Sequence, residues 1–176
     1  MMNMNILEAI QGRRSIRAFK QGPIDTETLT NIIIKAAIWA PSAGNNQILR
    51  YIVINDDILL HKIGLVSPGL SGNPPALIVV CQDSNEAQLK GGLQGPKFLA
   101  IADASMSSQN IILYAYSMGL GTCVVASFHS QAVQKILNLP QSIIPIFLIS
   151  IGYPEYIPEK APSRNKEIIW FNEYKK

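Results

Sequence analysis

Apolar residues recur with two different spacings along this chain, and the two kinds of segment alternate. Leu29, Ile32, Ile33, Ala36 and Ala37 fall three and four residues apart, as on the buried face of a helix. Asp25 stands before them as an N-cap, and Pro41 disfavours helix in the residue before it, so this helix must end near Ala40. Residues 5–11 predict a short helix stopped by Gly12. Four runs rich in β-branched residues predict core strands: YIVIN at 51–55, ALIVVC at 76–81, GTCVVA at 121–126 and IFLISIG at 146–152. Between them, 61–66 reads as a short helix, 99–118 as a long one with Gly119 as its C-cap, and 130–137 as another capped by Ser130. Residues 67–75 are rich in Gly, Ser and Pro and read as a loop. Residues 82–95, polar and containing glycine, read as a mobile excursion. Beyond Tyr153 come three prolines and then WFNEY, an extended tail. There is no repeat and no linker, so residues 1–176 predict one layered α/β or α+β domain with helices flanking a sheet.

Composition sharpens this picture at one point. Hydrophobic residues make up 48% of the chain and charged residues only 15%, against about 25% in an average soluble domain. A surface so poor in charge is most simply kept in solution by burying part of it against a second copy. The net charge of +3 is too small to indicate nucleic acid. Three of the five arginines nevertheless lie within five residues, at 13, 14 and 17. Cys81 and Cys123 form neither a disulfide framework nor a metal-ligand spacing, which suits a reduced cytoplasmic protein. The apolar run 143–151 is short and broken by Pro145, well below the roughly 20 residues a bilayer span needs. His61 and His129 stand alone, and capping or surface roles suit them better than catalysis.

Four segments carry candidate chemistry. Arg13, Arg14, Ser15 and Arg17 combine three guanidinium forks with a hydroxyl, a set that grips phosphate; taken alone it would equally suit a solvated basic turn. Residues 41–47, PSAGNNQ, end the long apolar helix with small residues that admit a flat ligand. Asn45 and Gln47 offer the donors and acceptors that match a pyrimidine-like ring edge. Residues 119–128 run from helix through glycine into strand, the reverse of a dinucleotide fingerprint, and alone read as a helix cap plus a core strand. Last, Gly152-Tyr153-Pro154 leads to Arg164 and Lys166 in the proline-rich tail.

In this order and at these separations, RRSIRAFK, APSAGNNQ, GLGT and GYP with its later P-x-R resemble the nitroreductase family across residues 6–170. The resemblance implies an α+β fold with helices flanking a central mixed, mainly antiparallel sheet and a C-terminal segment extended onto the partner subunit. It implies FMN bound without covalent attachment at the interface of a homodimer, with NADH or NADPH as reductant. Arg13, Arg14, Ser15 and Arg17 would then lie near the flavin phosphate and pyrimidine edge, joined by Arg164 and Lys166. Pro41, Ser42, Ala43 and Asn45 would come from the other subunit, supported by Gln47. Val124, Val125 and Ala126 would pass along the isoalloxazine, and Ser71 or Asn73 would supply a further polar group. The implied activity is hydride uptake from NAD(P)H and ping-pong transfer to a small organic acceptor such as a nitroaromatic or quinone. No side chain need act as nucleophile or general base. A dehalogenase, a flavin-fragmenting enzyme or a non-enzymatic flavin-binding or regulatory dimer are the alternatives. Nucleic acid and membrane are not expected partners.

Overall fold

Four strands form one sheet in the order β1-β2-β4-β3: β1 (Leu49–Ile54), β2 (Ala76–Asp83), β3 (Gly121–Val125) and β4 (Ile143–Gly152). These pairs are antiparallel, and among the described residues a parallel bridge between Ser15 and Thr122 adds the mixed character the resemblance implied. The computed structural model describes residues 4–159 and 168–174.

The period-two side-chain alternation of β2 sorts the core into two faces. Ile78 and Val80 pack with Leu29 and Ile32 of α2 (Thr26–Lys35) and with Ile111 and Ala115 of α5 (Ala100–Ser117). Leu77, Val79 and Cys81 pack on the other face with Ile63 of α3 (Asp57–Leu65) and Val133 of α6 (Ser130–Ile136). Helices on both faces explain why β2 has no polar residue until Gln82. α1 (Ile6–Gly12) begins at Asn5, whose side chain and that of Glu8 cap one another's main chain.

Residues 82–95 are no excursion: β2 continues to Asp83, whose carboxylate caps a further helix, α4 (Ser84–Gly91), through the Glu86 N–H. A 3-10 turn and a π turn then lead into α5. The polarity of the segment reflects an amphipathic surface helix that buries little beyond Ala87. α2 stops at Lys35, and a 3-10 turn over Ala37–Trp39 fills the stretch before Pro41. β4 starts three residues early and passes through Pro145. The missing N–H is tolerated there because β3 pairs only from Leu148 onward and the ladder with β2 shifts register beside it. Ser130 is not the cap of α6; His129 holds that position, and the Ser130 hydroxyl donates to the Pro145 carbonyl at 2.9 Å.

Candidate functional site

After α1 the chain runs extended along the open edge of β3. The Ile16 N–H donates to the Thr122 carbonyl at 2.9 Å, the Lys20 N–H to Tyr153 at 2.8 Å, and the Glu155 N–H to Ala18 at 3.1 Å. Ile16 and Phe19 are buried under this segment, whereas Arg17 between them faces solvent. Three motifs distant in sequence, RRSIR, GLGT and GYP, therefore share one sheet edge. The glycine of GLGT serves this contact: a Cβ on Gly121 would lie 2.6 Å from the Ile16 side chain. Gly72, with φ +80°, makes a similar approach from the 67–75 loop, where a Cβ would fall on the Arg17 carbonyl.

The guanidinium groups on this edge are not equivalent. Arg14 turns back on the end of α1, its Nη1 donating to the carbonyls of Gln11, Gly12 and Arg13 at 2.8–2.9 Å. Its Nε is buried with no partner among the described residues. The guanidinium groups of Arg13 and Arg17 make no hydrogen bond, and none of the three meets a carboxylate, among the described residues. Cations left unpaired on one short segment are available to an anion from elsewhere. Beside them, the outward turn of the Thr122 carbonyl fixes the alternation of β3, so the Val124 amide also points to the open edge. The Val124 side chain is exposed and Ala126 lies at the surface, but the Val125 side chain is in the core; only its main chain is available to a ligand. Arg164 and Lys166 lie outside the described residues.

The PSAGNNQ segment sits elsewhere, on the opposite edge beside β1. Ala43 begins a 3-10 turn, and Gly44, Asn45 and Gln47 adopt left-handed φ of 57°, 55° and 52°. The Gln47 N–H donates to the Ser42 hydroxyl at 3.3 Å, and Gln47 Nε2 to Asn45 Oδ1 at 3.0 Å. That bond leaves the Asn45 amide N–H groups and the Gln47 carbonyl side by side at the surface, a donor next to an acceptor. The Ala43 N–H donates to Asp103 Oδ1 at 2.9 Å.

Asp103 was legible in sequence only as a residue near a helix start, and it is in the first turn of α5. Its role in holding Ala43 was not anticipated, although a signal existed: it is the sole charged side chain between 99 and 118. It is 4% exposed, and its Oδ2 has no partner among the described residues. Asp103 belongs to the wall of a cavity of about 160 Å³ shared with Pro41, Ser42, Gln47 and Tyr51. The Ser107 hydroxyl donates to the Ala37 carbonyl, so Tyr51 must be the donor in its 2.7 Å bond to Ser107. Burial raises the Tyr51 phenol above its ordinary pKa; the Ser107 bond opposes that shift and the Asp103 charge adds to it.

α5 measures the separation of the two half-sites. Asp103 holds the PSAGNNQ turn, and Tyr116 packs against Gly12 at the root of the arginine segment. Thirteen helical residues apart, these ends are about 20 Å from each other. Ser71 and Asn73 belong to a third place, a cleft of about 720 Å³ beside α3 that also takes in His61. No helix among the described residues is long and apolar enough to cross a membrane.

Comparison with known proteins bears on all of these segments. The model of the nitroreductase family matches residues 10–70 and 64–153. A protein of Methanothermobacter thermautotrophicus, provisionally named NADH dehydrogenase/NAD(P)H nitroreductase, is 32% identical over 161 residues, covering 88% of this chain and 80% of its own. The FMN reductase [NAD(P)H] of Bacillus subtilis is 26% identical over 180 residues, covering 93% of this chain and 72% of its own. Among solved structures, nitroreductase A of Vibrio parahaemolyticus superimposes with a TM-score of 0.84 at 27% identity, covering 98% of this chain and 78% of its own.

Proposed function

Since the chain belongs to the nitroreductase family, we propose that it is an FMN-dependent NAD(P)H oxidoreductase, working in the cytoplasm as a homodimer and reducing a small organic acceptor such as a nitroaromatic or quinone. The observation that carries this reading is the unpaired guanidinium set on the β3 edge, beside a strand amide directed outward. These donors suit FMN: a dianionic phosphate for the arginines, and a flat ring that can lie along exposed main chain.

Arg17, with Arg164 and Lys166 from the C-terminal segment, would hold the phosphate, and Ser15 would add a hydroxyl. Arg13 is the better placed guanidinium for the pyrimidine edge, because Arg14 already spends Nη1 on three carbonyls. A fixed cation there stabilises negative charge that grows on the ring during reduction. Val124 and Ala126, and the main chain of Val125, would line the ring. When bound, FMN supplies the redox chemistry, accepting hydride from NAD(P)H and passing electrons onward. Reductant and acceptor would use one open face in turn, which imposes ping-pong kinetics.

A separation of about 20 Å between the arginine edge and the PSAGNNQ turn favours two chains. Pro41, Ser42, Ala43, Asn45 and Gln47 of a second copy would complete the site built on the β3 edge of the first, with the C-terminal segment reaching across. Trp39, 73% exposed beside that turn, and Phe98 and Ile101 at the start of α5 are apolar surface that such an assembly would cover.

A visible spectrum of the purified protein tests the reading, followed by NADH or NADPH and then a quinone or nitroaromatic. The expected protein is yellow, or becomes so with FMN; a nucleotide bleaches it and the acceptor restores the colour. Protein that stays colourless with added FMN, or flavin that neither nucleotide reduces, overturns it.

A further inference from the structure

The turn at 43–47 is held by more than its own hydrogen bonds. Asn45 and Gln47 carry side chains in the left-handed region, a conformation that persists only when the surroundings over-determine it. Asp103 secures the start of the turn. Its far side offers two carbonyls, Asn46 and Gln47, and each is taken by a cation from outside the turn. Lys90 Nζ donates to the Asn46 carbonyl at 2.7 Å, and Arg50 Nη1 donates to the Gln47 carbonyl at 3.3 Å and also to that of Leu49, the first residue of β1, at 3.0 Å.

Both cations converge on one carboxylate. Glu86 Oε1 accepts from Arg50 Nη2 at 2.8 Å, and Glu86 Oε2 accepts from Lys90 Nζ at 3.2 Å. Asp83 adds a longer contact to Arg50 at 3.6 Å. Glu86 precedes Lys90 by four residues on α4, the favourable order for a helical pair. A single exposed ion pair contributes little. Here the ring closes through main chain, from Glu86 to Lys90 to Asn46, on to Gln47 and Arg50, and back to Glu86. Each cation is held at both ends, so losing the carboxylate loosens both.

We propose that Glu86, acting through Arg50 and Lys90, is a positioning residue that keeps the 43–47 turn in the left-handed conformation in which Asn45 and Gln47 meet the cofactor. This rests on the flavin reading above. α4, the segment read from sequence as an excursion, thereby becomes part of the site's support.

The test uses full-length Glu86→Gln, Lys90→Met, the double variant and Lys90→Arg. FMN affinity is measured by fluorescence titration, and amide exchange of residues 43–49 in flavin-free protein. Each single variant should bind FMN about three- to fivefold more weakly, in the range of a small charge network. The double variant should be no weaker than the weaker single, because the contacts form one unit. Faster exchange should be confined to the turn, and Lys90→Arg should restore both readouts. FMN affinity within twofold of wild type in Glu86→Gln, while Arg17→Ala still loses flavin, overturns the positioning role and spares the flavin reading. Exchange that accelerates across the whole sheet overturns it by making Glu86 a residue of the fold. Wild-type protein that takes no FMN brings down both readings together.

Discussion

Arg17 and Arg50 are the same residue type on opposite edges of one sheet, and the fold uses them in opposite ways. Around Arg17 the protein spends main chain: Ile16, Lys20 and Glu155 donate backbone N–H groups that fasten the N-terminal segment to β3 and the end of β4, and the guanidinium is left unpaired among the described residues. Around Arg50 it spends side chains: both Nη groups of the guanidinium are taken, by Glu86, Asp83 and two carbonyls. A cation fixed by the backbone but not neutralised is an invitation to an anion. A cation neutralised on the spot is scaffold. The difference supports the proposed phosphate site on the β3 edge without any appeal to the local sequence, since both arginines stand among polar and apolar neighbours alike.

The contrast can be broken most severely at Gly72. Alanine there would drive a Cβ onto the Arg17 carbonyl in a left-handed backbone, and is expected to cost about 3 kcal/mol or more of stability by urea denaturation. Wild-type stability in this variant would mean that the N-terminal segment is not fastened as described. Next in size, Arg17→Ala should lower FMN affinity by about 1.5–3 kcal/mol, the scale of a charge-assisted contact. The melting temperature of the flavin-free protein should stay where it is, because no internal partner is lost.

On the other edge the expected losses are structural and smaller. Tyr51→Phe removes the hydrogen bond to Ser107 and should cost about 0.5–1.5 kcal/mol of stability. The same residue gives a pH signature. The folded phenol is held above its ordinary value of 10.0, so the unfolded chain releases this proton first. Its contribution is therefore complete below about pH 10 and is lost as pH rises further. The alkaline decline of stability should be shallower in Tyr51→Phe than in wild type. Smallest of all, Arg50→Met should change stability by less than about 1 kcal/mol, since the pair it breaks is roughly two-fifths exposed on each side. A large direct loss of flavin phosphate affinity in Arg50→Met, matching that of Arg17→Ala, would erase the distinction between the two edges.

The sequence by itself determined what local chemistry determines. Strands of β-branched residues, the helix from 99 to 118, its end at Gly119 and the family resemblance of four motifs were all legible, because each depends on neighbours a few positions apart or on a pattern along the chain. The flanking of a sheet by helices followed from the alternation of helical and strand segments along the chain. What only the tertiary structure decided was which polar groups are spent. RRSIR contains three arginines that look alike in sequence, yet Arg14 caps its own helix while the guanidinium groups of Arg13 and Arg17 have no partner among the described residues. Asp103 was one acidic residue near a helix start until the fold brought Ala43 to it across sixty positions. Residues 84–91 looked like an excursion because their apolar face is narrow, and what gives the helix work to do is a partner, Arg50, from the neighbouring strand. Hydrophobic pattern encodes where a segment goes, since burial is read one residue at a time. The pairing of charges depends on distances between segments, and those exist only once the sheet has closed the gaps.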